Sequence, residues 1–395
     1  MTAAEQRAVI SGIGQSAIGR KTGRDELDLT IDAALVAIAD AGLTVADIDG
    51  LAAYPGGQMG DTSGFAGPGT PTVHDAMRMS LNWHSGGIEG PAQIQAVINA
   101  VTAVSMGLAR HVLVYRTVTE STAQGSGSRA GIGVGSEGIG GVMQWSIPFR
   151  GYSAANWLAM NAQRHFDEFG TTREQMAQIA LNARRNAGLN PNAVFREPMT
   201  MDDYFAARII TTPFCLFDCD IPVDGSTAVI VSAVEHADAV DHPVARVEAV
   251  GTALRGRPSW DQWEDMTSMP ARDAASHLWS RTDLRPDDVD VAELYDGFSW
   301  LAMAWLEALG FCDRGESGPF IEGGKRIALD GELPLNTHGG QLSAGRLHGF
   351  GFLHEAVVQL RGVGGDRQVG GDPEVAVVAN GGGPVAGAML LTRLS

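Results

Sequence analysis

The chain has 395 residues, 44% of them hydrophobic and 19% charged, an ordinary globular balance for one large domain or two of usual size. A net charge of −18, with Lys21 and Lys325 as its two lysines, argues against nucleic acid as a partner, since phosphate neutralisation dominates that affinity; an anionic ligand would need a local arginine patch. With no apolar run of the ~20 residues that a membrane span needs and no secretory leader pattern, no membrane span is expected and the expected location is cytoplasmic.

In chain order, "ISGIGQSAIG" reads as an apolar opening strand leading to an amphipathic helix and then to "AGLTVADIDGLAAY" (41–54). Glycine-rich "YPGGQMGDTSGFAGPGT" follows as a loop, and "PAQIQAVINAVTAVSMGLARHVLVYRTV" reads as a helix and then a strand. His84 and Ser85 are adjacent, a poor arrangement for a nucleophile and its base. Residues 119–204 differ in character. Their "AQGSGSRAGIGVGSEGIGG" contains Gly133, Gly135 and Gly138 in G-x-G-x-x-G spacing, but without the strand, helix and acidic residue that a dinucleotide loop requires. In "REQMAQIALNARRNAGLNP", Met176, Ile179 and Ala180 mark one helix face, so this segment is expected to be a cap over the first half.

The second half repeats the first. "VEAVGTALRG" is again a strand opening, and "TDLRPDDVDVAELY" (282–295) matches 41–54 without a gap: Leu43 with Leu284, Asp47 with Asp288, Asp49 with Asp290, Tyr54 with Tyr295. "HEAVVQLRGVGGDRQVGGDPEVAVVAN" is the second helix–strand unit. The expected class is α/β, with boundaries at 1–118, 119–204 (cap), 205–240 (end of the first half) and 241–395. Three cysteines, Cys215, Cys219 and Cys312, lack zinc spacing and read as buried thiols.

Long motifs in order, "NAGLNPNAVFREPMTMDDYFAARIITTPFCLFDCDIPVDGSTAVIV", "ELYDGFSWLAMAWLEALGFCDRGESGPF", "NTHGGQLSAGRLHGFGFLHEA" and "VANGGGPVAGAMLL", resemble the sterol-carrier-protein type thiolases almost end to end. The resemblance implies two duplicated five-stranded halves in a layered α-β-α-β-α thiolase fold with an inserted cap, a homodimer, and acyl-CoA thioesters as substrates. It also exposes departures. The family's nucleophilic cysteine falls at or near Gly90, its Asn-Glu-Ala-Phe motif is here Tyr295, Asp296, Gly297 and Phe298, its histidine loop carries Arg346 and His348, and its second cysteine is Asn380 ahead of Gly381, Gly382 and Gly383. Acyl transfer needs a thiolate that none of these residues supplies.

Retro-aldol cleavage of a β-hydroxyacyl-CoA uses the same thioester enolate without a nucleophile. Lys21 and Lys325 read as solvated rather than as Schiff-base lysines, and His338, His348 and His354 lack metal-ligand spacing, so no metal and no cofactor beyond the substrate's CoA is expected. Proton transfer then falls to Tyr295, if a cation from His348 or Arg346 lowers its pKa, with Asp296 orienting it or capping the following helix. His338, Asn380 and the N–H groups of Gly382 and Gly383, with Gly90 opposite, are candidates for holding the thioester oxygen. The chain is similar to the cysteine-lacking lipid-transfer-protein aldolases of steroid side-chain degradation, which implies cleavage of a 17-hydroxy steroid acyl-CoA to a 17-keto steroid and propionyl-CoA, and a small OB-fold, zinc-ribbon partner. The rivals are a non-catalytic acyl-CoA carrier or scaffold and a thiolase subunit of a hetero-complex.

Overall fold

The computed structural model describes residues 3–56, 64–126, 144–254, 265–383 and 385–394. The glycine pattern at Gly133, Gly135 and Gly138 lies outside them. The first half runs β1 (Ala8–Gln15), α1 (Glu26–Asp40), β2 (Gly50–Ala53), α2 (Thr70–Met77), β3 (Trp83–Gly86), α3 (Gln95–Ser105) and β4 (His111–Thr119). Then come α4 (Glu120–Gly125), α5 (Ala154–Phe169), α6 (Arg173–Leu189), α7 (Met201–Ala206), the short pair β5 (Ile209–Thr211) and β6 (Phe214–Cys215), and β7 (Asp224–Ala233). The second half is β8 (Val244–Ala253), α8 (Met269–Trp279), β9 (Val291–Leu294), α9 (Ser299–Ala308), α10 (Ser317–Ile321), α11 (Phe350–Leu360), β10 (Val375–Gly381) and β11 (Ala386–Leu394).

Among the described residues, nine strands form one sheet in the order β3-β2-β4-β7-β1-β8-β11-β10-β9. In the first half β2 pairs parallel with β3 and β4, and β7 antiparallel with β4 and β1. The second half repeats this: β9 pairs parallel with β10, and β11 antiparallel with β10 and β8. The halves join where β1 meets β8 through the pairs Val9–Arg246 and Ile10–Ala245. Where five strands per half were expected, the second has four among the described residues. The place of its fifth is held by a single parallel bridge, Ala292–Leu335, beside Pro334, which has no N–H to extend a ladder.

Strand alternation sorts the core. Along β4, Leu113 and Tyr115 pack with Ala33, Ala37 and Ile38 of α1, while Val112 and Val114 join Val97 and Ala100 of α3 on the other face. Each half seats its first helix against a strand glycine: a Cβ on Gly12 would lie 2.2 Å from the Ala37 carbonyl, and one on Gly251 2.2 Å from that of Ala274. The helix expected around Met176 is α6, started by a Thr172–Gln175 capping box. It packs on α9, α10 and the 340–344 turn, so this part of the inserted segment covers the second half rather than the first. The reason is polar. Asn182 and Asn186 donate to the Leu335 carbonyl at 2.9 and 3.1 Å, and Asn190 to that of His338 at 2.9 Å.

Candidate active site

Ala53 on β2 pairs with Tyr115 on β4, and Leu294 on β9 with Ala379 on β10. One residue further on, at the carboxyl end of each parallel pair, the two halves present Tyr54 with Arg116 and Tyr295 with Asn380. Carboxyl ends of parallel strands are where open α/β sheets bind ligands.

Tyr295 is buried, its ring 6.2 Å from that of Phe352, and a Cβ on Gly297 would strike it at 2.7 Å. Gln93, just ahead of α3, donates to its hydroxyl at 3.4 Å, and the Gln341 carboxamide lies nearby without a hydrogen bond to it. Burial, then the neighbouring Asp220 carboxylate, push the phenol above its ordinary pKa, and Arg346 does not offset them. The lowered pKa expected from a nearby cation is therefore absent. Arg346 is already engaged, donating to both carboxylate oxygens of Glu120 at 3.0 and 2.7 Å and to Asp220 at 3.0 Å.

Nor is His348 a cation. It sits two residues ahead of α11 with φ +46°, buried, its ring 4.7 Å from Phe65, and its Nδ1 accepts from Nη2 of Arg116. Arg116 is fully buried in the sheet, gives Nη1 to the carbonyls of Tyr54 and Thr117, leaves Nε unpartnered, and lies over the Tyr54 and Phe65 rings. Burial lowers its pKa to about 10. Burial and the guanidiniums of Arg116 and Arg346 hold the His348 pKa well below that of a free imidazole, so Nδ1 accepts and Nε2 keeps the proton.

His338 belongs to a separate polar chain. Its Nδ1 bonds Oε2 of Glu293 at 3.1 Å, while Thr337 donates to Oε1 of Glu293 and to Glu355, itself held by Arg367. Burial disfavours its cation but the Glu293 carboxylate outweighs that and raises its pKa. Phe352 touches both the His338 and Tyr295 rings, and no hydrogen bond joins the two. Asp296 neither caps α9, whose N-cap is Phe298, nor bonds Tyr295: its Oδ1 accepts the Gln341 N–H at 2.8 Å and Oδ2 has no partner. Burial lifts this carboxyl to about 7.

The expected oxyanion donors are partly committed. The Gly382 N–H is given to the Val385 carbonyl within a turn, and Trp305 holds the Gly381 carbonyl at 3.1 Å. Gly383 is buried just beyond. Asn380 is buried with Oδ1 unpartnered, as are Oε1 of Gln93 and both amide atoms of Gln341, the latter in a π-turn (Gly340–Ala344). At Gly90, where a nucleophile was sought, even a Cβ would fall 2.4 Å from the Gln95 side chain, which fills that space. Cys219 is the cysteine near the site, and burial followed by Asp220 and Asp218 raise its thiol pKa, so it is no thiolate.

Sequence reasoning passed over Arg116, Gln93, Gln341 and Asp220. An arginine inside the apolar run "HVLVYRTV" was a signal, because arginine is almost never fully buried without a purpose. Asp220 lies on a cavity of about 430 Å³ with Arg20, Arg184, Phe195, Phe217 and Cys219. Arg20 lies 5.5 Å from the Phe195 ring, and Arg184 lies 5.5 and 5.4 Å from the Phe195 and Phe217 rings: an arginine patch on aromatic walls. Among the described residues no three His, Cys, Asp or Glu side chains converge as a metal site, and no helix is long and apolar enough to cross a membrane.

The chain is similar to a steroid side-chain-cleaving aldolase of Thermomonospora curvata, 34% identical over 397 residues and covering 97% of both chains. It belongs to the thiolase superfamily. Within that superfamily, a Thiolase C-terminal domain-like region matches residues 253–392. The 17-hydroxy-3-oxo-4-pregnene-20-carboxyl-CoA lyase of Mycobacterium tuberculosis is 33% identical over 396 residues, covering 97% of this chain and 99% of its own. The solved structure of the Ltp2-ChsH2(DUF35) aldolase matches with a TM-score of 0.87 at 33% identity, over 99% of this chain and 98% of that one.

Proposed function

We propose that this thiolase-superfamily chain is an acyl-CoA retro-aldolase that cleaves a 17-hydroxy steroid acyl-CoA to a 17-keto steroid and propionyl-CoA. The observation that carries the reading is the loss of any nucleophile: Gln95 fills the space beside Gly90, and Cys219 is held as a thiol. Without a thiolate there is no acyl-enzyme, whereas carbon–carbon cleavage to an enolate needs only proton transfer and a held thioester oxygen. Tyr295, kept as a phenol, suits the step that returns a proton to the enolate carbon. The unpartnered Nε2 donor of Gln341 suits the thioester oxygen.

The arginine-lined cavity beside Asp220 fits the phosphates of CoA, which an acidic chain with two lysines must otherwise repel. The relative solved as an Ltp2-ChsH2(DUF35) aldolase supports a partner subunit for this chain as well, and that partner is proposed to be a small OB-fold, zinc-ribbon protein. A homodimer and a cytoplasmic location complete the proposal.

Mass spectrometry of products tests it: the protein, with and without such a partner, is mixed with a 17-hydroxy steroid propionyl-CoA thioester and no added CoA. Ketone plus propionyl-CoA is the expected result. Intact thioester in both mixtures, with binding still measurable, would leave a carrier in place of an enzyme.

A further inference from the structure

Cleavage also needs a group that takes the proton of the substrate's hydroxyl. Neither Tyr295, held as a phenol, nor His348, whose basic nitrogen is occupied by Arg116, is free for this. We propose that Asp220 is that base.

Three backbone hydrogen bonds tie its segment to the turns that flank Tyr295 and Gln341. The Asp220 N–H donates to the carbonyl of Gly297, the residue packed under the Tyr295 ring; Ile221 donates to the Gln341 carbonyl; and Arg346 donates back to the Ile221 carbonyl. The segment 219–221 thus runs extended between the Tyr295 turn and the Gln341 turn, with Cys219 bridged to Phe298. On its other side Asp220 lines the arginine cavity, so it stands between the proposed CoA site and the phenol. One oxygen accepts from Arg346, which fixes the side chain, and the carboxylate remains 11% exposed. Arg346 is shared with Glu120, so Asp220 is not fully neutralised by it. The ionisable groups facing Asp220 are Arg346, Glu120, Tyr295, Asp296 and Cys219. Burial lifts Asp220 to about 6 against the pull of Arg346, which suits a base at neutral pH.

This rests on the aldolase reading, and the step balances without a co-reactant. Asp220 takes the hydroxyl proton, the O–H electrons become the new C=O bond of the ketone, and the Cα–Cβ pair moves into the thioester enolate. Tyr295 then protonates Cα to give propionyl-CoA, and the phenolate and the protonated Asp220 carboxyl each return to their resting state by proton exchange with solvent. Asp220 touches only the hydroxyl half of the reaction.

The experiment pairs two readouts on the wild type and on Asp220→Asn, Asp220→Glu and Tyr295→Phe. The first is steroid thioester cleavage across pH 5–9; the second is deuterium exchange at Cα of propionyl-CoA in D₂O, which needs enolate formation alone. Expected for Asp220→Asn is a cleavage loss of about 10²–10⁴-fold, loss of the acid limb near pH 6, and exchange kept within a few-fold; Asp220→Glu recovers part of the cleavage, and Tyr295→Phe loses both. Cleavage by Asp220→Asn within about threefold of wild type would overturn the assignment, as would loss of exchange in step with cleavage, which marks a structural role. A wild type that exchanges Cα but leaves the steroid thioester intact overturns the aldolase reading itself, and the base with it.

Discussion

Arg116 donates to Nδ1 of His348, and among the described residues neither side chain has a carboxylate partner. The contact is attractive only while the imidazole is neutral. In the unfolded chain His348 gains a proton near its ordinary value, whereas the folded protein resists protonation to well below it. This contribution to stability is therefore complete above pH 6.5 and is lost as pH falls towards the folded value, by at most about 1.4 kcal/mol per pH unit. Replacing His348 by Gln should flatten the thermal midpoint against pH between 7 and 5; an unchanged slope would show that Arg116 does not hold the ring neutral.

Asp296 has the opposite sign. Its buried carboxyl, lifted to about 7, favours the protonated native state, so its contribution is present at low pH and is lost as pH rises through 7. Asp296→Asn keeps an acceptor for the Gln341 N–H and removes the buried charge. It should stabilise the protein by about 1–3 kcal/mol at pH 8 and by much less at pH 5, read as the difference in denaturant midpoints at the two pH values.

The phenol of Tyr295 gives a kinetic prediction. Tyr295→Phe keeps the ring packed on Phe352 and Gly297 and removes the proton, so kcat should fall about 10²–10⁴-fold with KM within threefold. A parallel rise in KM would mean that the hydroxyl binds substrate rather than delivering a proton.

Arg20 and Arg184 should separate binding from chemistry. Each charge-assisted bond to a phosphate is worth about 1.5–3 kcal/mol, so methionine at either position should raise KM for the CoA thioester by roughly 10–150-fold and leave kcat almost unchanged. Steady-state kinetics on the two variants decide this, and a selective loss of kcat would move the CoA site elsewhere.

Gly90→Cys restores the residue type that a thiolase needs without restoring its room. The new side chain must displace Gln95, at a cost of about 1–3 kcal/mol. Intact-mass measurement after exposure to acetyl-CoA should show no acetyl adduct; a stoichiometric adduct would mean that the acyltransferase pocket survives.

The duplicated acidic turns led directly to Tyr54 and Tyr295, because a gapless repeat fixes equivalent strand ends whatever lies between them. Asn380 came instead from the thiolase resemblance, as the place of that family's second cysteine. What the sequence hid were the charges on those residues. Whether Arg346 is free or shared between Glu120 and Asp220, and whether His348 is cation or acceptor, depends on partners 126 to 232 positions away in the chain. Asp296 looked like a helix cap by position, yet the chain turns there and sends its carboxylate to Gln341 instead. Asp220 had no local pattern to betray it; its neighbours Gly297 and Gln341 arrive from the other half.

Tyr54 and Tyr295 hold the same address in the two copies, and so do Arg116 and Asn380, but the copies no longer share a trade. The first tyrosine is a cushion under a guanidinium, the second a hydroxyl that accepts from the Gln93 carboxamide. The proposed base, Asp220, comes from one half and the phenol, Tyr295, from the other, so a split protein would be silent until both fragments found each other. Duplication here has yielded a tool and its vice.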